Sequence, residues 1–275
     1  MQTLLPLLNE VGHIWWSNLV NDLRRYVIFA VAVWFALWVA LSAVIRGRKI
    51  RETNPPRRQL VVELFYSVRS VAIFSTVGIG IAYMQRGGLY PLAEVGRSWG
   101  PVWFGVSLVL MIVGQDAWIY WTHRWMHHPR VFRAFHRRHH KSHNPSPFTA
   151  YSFDVGEALL MVAFVALWPL VVPTPWPVIG LFMLHQIFRN TLLHAGYELW
   201  PARANGKPWL DWLTTTTHHD LHHAQAGWNY APWFTWWDRW LGTEHPEYHV
   251  RYAVTARRPL LMRPGSQPVP DPIEA

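Results

Sequence analysis

The chain contains no cysteine. That excludes disulfides, thiolate metal sites and cysteine nucleophiles, so any metal must be held by nitrogen and oxygen ligands. The redox compartment is left undetermined. Charged residues are scarce, at 15% against 51% hydrophobic, a balance that points toward a membrane. The sequence has no Gly-rich dinucleotide fingerprint, no haem-attachment motif and no HExxH. It therefore carries no signature of a bound redox dinucleotide, and a zinc hydrolase would lack the Glu general base beside its ligands. No internal repeat or long low-complexity tract is present.

What is abundant is tryptophan, 19 residues, and histidine, 16. Indole favours the headgroup region of a bilayer and equally lines apolar cavities. Mean hydropathy is only +0.03, so apolar stretches alternate with strongly polar ones. The formal charge of +9 resides in segments between apolar runs and not along one soluble face. Anionic lipid headgroups are the partner this implies, and nucleic acid is not.

Tyr26 to Ile45 is an uncharged run of 20 residues, long enough at about 1.5 Å per residue to cross a roughly 30 Å hydrocarbon layer. Its length, with no small-residue cleavage site after it, reads as a retained anchor. Arg46, Arg48, Lys49, Arg51, Arg57 and Arg58 then surround Pro55-Pro56, a positive-inside signal that places this loop in the cytoplasm. Leu60 to Met84 is a second span, with Glu63 and Arg69 near its cytoplasmic end, and Pro101 to Trp121 returns inward. Ala158 to Val172 and Pro177 to Ala195 form a hairpin broken at Pro173-Thr174-Pro175, its first arm short enough to be tilted or re-entrant. The expectation is an all-α, multi-pass integral membrane bundle of about four transmembrane helices, with a cytosolic His-rich region. Residues 1–98 form the anchor helices and basic loop, 99–245 the His-rich domain and 246–275 a C-terminal tail, loose from Arg257 onward.

Thirteen of the 16 histidines lie between His123 and His223. His123 and His127 are four apart, one helical turn, close enough to share a metal. His136, His139 and His140 follow an i, i+3, i+4 pattern that places them on one stripe, and His219, His222 and His223 repeat it. His194 stands alone at the end of the hairpin. Topology can bring these groups together, and eight or nine imidazoles exceed the four ligands of a zinc site, so two metals are the economical reading. The plain alternative is a basic, headgroup-facing helix, which three repeats of one geometry disfavour. His13, His245 and His249 read as solvated, His128 and His143 as flanking residues, and His185 as a buried, hydrogen-bonded histidine. Asp116 shares a helical face with His123 and His127. An intramembrane carboxylate needs a task, either orienting a ligand imidazole through its other N–H or pairing with Arg124. Asp220 is a second candidate for the imidazole role.

At these residues the sequence resembles the sterol desaturase and fatty acid hydroxylase superfamily, including its C-4 methylsterol oxidases and C-5 sterol desaturases. Asp116 to His127, DAWIYWTHRWMH, is similar to the HxxxH motif, and His136 to His140, HRRHH, to the first HxxHH. His194 to Glu198, HAGYE, resembles the HxGY segment. His218 to His223, HHDLHH, followed by Asn229-Tyr230 and by Phe234 to Thr243, FTWWDRWLGT, resembles the last motif and the WDR-x-x-GT stretch behind it. The match covers roughly Gln115 to Thr243. Each motif alone is weak, and four in order are specific. Two departures stand out. Asn190 occupies the place of a paired histidine found in some fatty acid hydroxylases, and Asp154 to Glu157, DVGE, keeps only the Glu of a His-Pro-x-Glu segment common among sterol enzymes.

The resemblance implies a cytosolic, non-haem di-iron centre held by His123, His127, His136, His139, His140, His194, His219, His222 and His223. Asp116, Asn190 and Asp220 stand behind these ligands as candidates. It further implies O2 as co-substrate, a lipid substrate, and electrons drawn ultimately from NAD(P)H through a separate ferredoxin or cytochrome b5-like carrier. Hydroxylation and desaturation are both open, since residue types do not separate them. Trp118, Trp121, Phe148 and Tyr151 are candidate walls of a lipid cavity, ordinary core packing being the simpler role at each. A His-rich metal transporter is the rival from another class, but transporters place ionisable sites near mid-membrane.

Overall fold

In the computed structural model, residues 4–261 are described. The first apolar run belongs to a longer helix than its uncharged core predicts. Helix α1 covers Leu5–Ala40, beginning about 20 residues before Tyr26 and stopping short of Ile45. Charges that interrupt the hydrophobic pattern are paired: Arg25 with Asp22 one turn earlier, and Glu10 with Arg86 of the next helix. A helical run punctuated by such pairs is hard to see in hydropathy alone. The second half of α1 contains two π-helical stretches, Val27–Val31 and Phe35–Ala40. This wider winding coincides with contacts to the His-rich region, where Trp34 meets Phe148 and Trp38 Nε1 donates to the Ala195 carbonyl at 2.9 Å.

Pro55 and Pro56 break the chain before α2, Arg57–Arg86, which runs antiparallel along α1; Trp15 Nε1 donates to Thr76 Oγ1 at 3.1 Å. Glu63 and Arg69 find partners inside the protein. Glu63 is buried and accepts from Gln59 and Ser146, while Arg69 donates to the Phe153 carbonyl. After the short α3, Pro91–Ser98, comes α4, Gly100–Met126. Among the described residues, helices α1, α2 and α4 are the three that are long and apolar enough to cross a membrane. Exposed Val61, Phe65, Val102 and Val109 on α2 and α4 suit a hydrocarbon surround.

Short α5, Pro129–Phe135, and α6, Arg137–His140, lead through a 3-10 turn at Pro147–Tyr151 into the expected hairpin. Its arms are α7, Val155–Val171, and α8, Trp176–Leu193. Gly114 lets α7 approach α4, since a Cβ there would lie 2.2 Å from the Trp168 ring. Cores of Met111, Phe164, Ile179 and Phe182, and of Val71, Tyr151, Ala158 and Ile187, join the helices. The remaining helices are α9, Thr216–Ala224, α10, Trp236–Trp240, and α11, Tyr248–Ala256. The tail expected from 246 thus begins as a helix, because Tyr248 and Tyr252 are buried against Leu221 of α9. The expectation for 262–275 lies outside the described residues. Among the described residues extended pairing is limited to isolated bridges such as Lys49 with Tyr197.

Candidate metal centre

The nine histidines singled out in the sequence meet at the end of α4, between α5–α6, the end of α8 and α9. They form two groups. His123, His127, His136, His140 and His222 offer nitrogens all within 4.8 Å of one another, and His139, His194, His219 and His223 do the same. The grouping cuts across the motifs. His139 leaves its neighbours His136 and His140, and His222 leaves His219 and His223. The single-stripe expectation fails because adjacent helical residues are about 100° apart, and because His136, with φ −140°, lies outside the single turn of α6. Each HxxHH motif therefore reaches both groups.

Within each group the Nε2 atoms face each other. His123 and His136 are 2.8 Å apart at Nε2, His140 is 3.1 Å from His127 and 3.0 Å from His222, and His194 is 2.9, 3.2 and 3.3 Å from His219, His223 and His139. The opposite ring nitrogens fix the tautomers. Nδ1 of His123 donates to the Tyr230 carbonyl, that of His194 to the Asn190 carbonyl and that of His222 to the Trp228 carbonyl, each at 2.7 Å. His136 Nδ1 lies 2.9 Å from Glu157 Oε1. With the protons of His123 and His222 on Nδ1, their Nε2 lone pairs lie within 4.8 Å of each other in the same set, a crowding that a cation between them relieves. Adjacent imidazoles at a metal–nitrogen distance of about 2.1 Å stand roughly 3 Å apart, which is the spacing found. The donor set fits two metal ions.

Burial keeps these rings neutral. It holds His140 down to about 3 and His194 to about 4, and His139, His219, His222 and His223 well below the ordinary 6.5, with neighbouring rings adding to the effect. A histidine lowered on folding favours the fold above 6.5, and that contribution is lost as pH falls from 6.5 toward the folded values. Acidifying the purified protein from pH 7 to about 4 is accordingly expected to release metal and loosen the fold together. Metal analysis and circular dichroism across the range check this; full metal retention at pH 4 would contradict it.

The carboxylates do other work than expected. Asp116 touches neither an imidazole nor Arg124. It accepts from the backbone N–H of Trp233 and Phe234 and from Trp236 Nε1, at 2.9–3.1 Å, pinning the C-terminal loop to α4. Asp220 takes the Arg51 guanidinium at 2.9 Å, tying the basic loop to α9. Orienting the rings falls instead to backbone carbonyls. Asn190 does so through its backbone, while its side-chain Nδ2 donates to the Ala150 carbonyl.

The other histidines lie outside both groups. His13, His128 and His143 are exposed, His249 pairs with Asp211 at 2.8 Å, and His245 is buried against expectation, with Nε2 2.9 Å from Gln225 Oε1. His185 Nδ1 has no hydrogen-bond partner, contrary to the role read for it, and the ring packs on Trp233. His218 is buried, its Nε2 3.6 Å from Asp238.

Asp238 is the supporting residue that spacing did not reveal. Its carboxylate accepts from the N–H groups of Tyr230 and Ala231 and from Thr243 Oγ1, at 2.8–3.0 Å. Burial raises it to about 6. Asn229, at φ 58°, donates to the His218 carbonyl and accepts from His245 N–H. Together they hold the turn whose Trp228 and Tyr230 carbonyls orient His222 and His123. The signal was visible as the WDR-x-x-GT stretch, but its role needs the fold. A cavity of about 50 Å³ touches both groups, through His123 and His136 and through His139, His194 and His219.

Such an arrangement defines a helical protein with membrane-length helices that gathers nine imidazoles into two metal-sized sets. Residues 108–243, which carry all four motifs, match the family model "Fatty acid hydroxylase". Through this region the chain belongs to the sterol desaturase and fatty acid hydroxylase superfamily. It is 32% identical over 151 residues to a Delta(7)-sterol 5(6)-desaturase of Gibberella zeae, covering 53% of this chain and 44% of that one. It is 27% identical over 232 residues to lathosterol oxidase of Mus musculus, covering 83% and 74%. It is 31% identical over 148 residues to methylsterol monooxygenase 1 of Rattus norvegicus, covering 50% and 45%. The match thus spans under half of the Gibberella and Rattus proteins. No solved structure gives a significant match.

Proposed function

We propose that the chain is an O2-dependent, non-haem di-iron membrane oxidoreductase that hydroxylates an unactivated C–H bond of a sterol-like or fatty acyl lipid. The observation that carries this reading is the facing of the Nε2 lone pairs in two sets, five and four. His123, His127, His136, His140 and His222 would hold one ion, and His139, His194, His219 and His223 the other. Bound iron supplies the reduction of O2 and the power to take hydrogen from carbon.

The chain's part is to hold and to exclude. The carbonyls of Tyr230, Asn190 and Trp228 keep three rings turned so that Nε2 faces inward. Ile119, Met126, Phe153 and Leu193 give the adjoining cavity dry walls, against which a hydrocarbon segment can lie beside both sets. The same site run to loss of a second hydrogen gives a desaturase; the relatives' names include both outcomes. Lipid mass spectrometry of cells with and without the gene tests the proposal. A gain of one oxygen supports hydroxylation, a loss of two hydrogens supports desaturation, and an unchanged lipid profile with metal flux in vesicles supports transport instead.

Electrons would come from a separate ferredoxin or cytochrome b5-like carrier. Arg130, Arg133, Arg137 and Lys141 are exposed beside the site and suit an acidic protein. In this reading residues 1–98 anchor and 99–245 catalyse, with α11 buttressing α9. The basic segments at 46–58 and 124–141 support a cytosolic side for the histidines. The absence of native cysteine makes this simple to test. A membrane-impermeant maleimide is expected to label L89C in intact cells and R133C only after the membrane is opened, and the reverse pattern would invert the topology.

A further inference from the structure

A line of oxidisable rings runs from the five-residue set to the surface. Tyr230 lies beside that set, its ring centroid 5.2 Å from His127, 5.6 Å from His123 and 5.8 Å from His222. Tyr120 of α4 follows at 6.3 Å, Trp237 of α10 stacks on Tyr120 at 5.7 Å, and Trp240 stands 5.6 Å beyond Trp237. Tyr120 is fully buried, whereas Trp240 is 68% exposed. A side branch reaches Trp121, half exposed and 5.4 Å from Tyr120. Beside the four-residue set lies Phe153, 5.5 Å from His139, a ring that does not readily give up an electron.

Hydrogen bonds along this line fix where protons go. Arg124 Nη1 donates to Tyr120 Oη at 3.1 Å, and Thr243 Oγ1 donates to Asp238 Oδ1 at 2.8 Å. In the 3.0 Å contact between Tyr120 Oη and Thr243 Oγ1 the phenol is therefore the donor. The Tyr120 proton thus has a path that ends on a carboxylate, one that burial raises to about 6 and that is ionised at neutral pH. Trp237 Nε1, by contrast, is buried without a hydrogen-bond partner. An oxidised Trp237 keeps its proton and passes the charge on.

We propose that these rings form an escape route, which carries oxidising equivalents from the histidine sets to the surface when O2 is consumed without substrate being oxidised. An oxidant left unspent beside histidines and Met126 damages them. Tyr120 gives one electron through the Tyr230 ring to the oxidised metal centre and its phenolic proton to Thr243, which hands its own to Asp238. Trp237 then returns an electron to Tyr120 as the protons move back, and Trp240 returns one to Trp237. At the surface the Trp240 indole loses its N–H proton to water, and one electron and one proton from a soluble thiol or ascorbate restore it. Each passage moves one electron from that reductant to the centre. Indole and phenol yield electrons only to strong oxidants, so the line serves oxidising equivalents leaving and not a ferredoxin's electrons arriving. The proposal rests on the oxygenase reading for the source of the oxidant, while conduction along the rings is separable.

The test uses full-length protein in phospholipid nanodiscs. The chain has no cysteine, so L241C takes a thiol-reactive ruthenium photo-oxidant beside Trp240. Flash oxidation is expected to give a tryptophan radical and then a tyrosine radical, the latter forming more slowly in D2O. In Y120F and in W237F, each with wild-type helix content, the tyrosine radical should be lost while the tryptophan radical remains. When iron-loaded, reduced protein is given O2 in the same nanodiscs, peptide mass spectrometry should find oxygen added at Trp240 and Trp121 in the wild type. In Y120F it should be found at Tyr230, Met126 and the histidines instead. A tyrosine radical undiminished in both variants would overturn the proposal, as would wild-type protein whose exposed tryptophans stay intact while the site residues are oxidised. Wild-type protein without iron or O2 uptake would remove the oxygenase reading and leave the flash result standing.

Discussion

Replacing His194 with alanine is expected to abolish turnover and to lower bound iron from about two ions per chain to about one. Its Nε2 is the hub of the four-residue set, within 3.3 Å of His139, His219 and His223. Removing it takes away one of four nitrogens and leaves three lone pairs crowded around a vacant corner, which a neutral methyl cannot fill. The five-residue set draws its ring-orienting carbonyls from elsewhere, Tyr230 and Trp228, so that ion should remain. Iron counting with O2 uptake checks both halves. Wild-type turnover in H194A would remove His194 from the machinery, and loss of both ions would show the sets to be interdependent.

The second large effect is at a residue that touches no metal ligand. Asp238→Ala strips acceptors from two buried backbone N–H groups and from Thr243. Unsatisfied buried donors cost about 1–3 kcal/mol each, so a loss of roughly 3 kcal/mol or more is expected in thermal or denaturant unfolding. The freed turn also relaxes the Tyr230 carbonyl behind His123, and loss of such outer support typically weakens metal binding about 10–100-fold. A merely structural role would lower the melting temperature and leave the iron affinity of the folded fraction unchanged. Competition against a chelator separates the two. Asp116→Ala is the useful contrast, since it frees a comparable set of donors but none from Tyr230 or Ala231.

Much of this was legible in residue order. The nine histidines stood out because imidazole is rarely clustered without a task, and all nine fall within the two sets. Spacing could not allot them. Periodicity tells which side chains share a helical face only while the helix is regular, and α6 is a single turn entered from an irregular His136. The carboxylates misled for a related reason. Asp116 does share a face with His123, but a face is shared by every element packed against it, and the loop at Trp233 to Trp236 arrived there first. Hydropathy placed α2, α4 and the hairpin well. It truncated α1, because Glu10, Asp22 and Arg25 look like an interruption until the Arg25–Asp22 pair within the helix and the Glu10–Arg86 pair across helices are known. The ring-orienting carbonyls leave no mark in sequence at all, since any residue supplies one.

The most direct measurement is metal counting with iron-edge X-ray absorption on protein purified from membranes without chelator. The account predicts about two iron ions per chain with ligation dominated by imidazole nitrogen. A single tightly held zinc, or iron bound only by oxygen ligands, would contradict it.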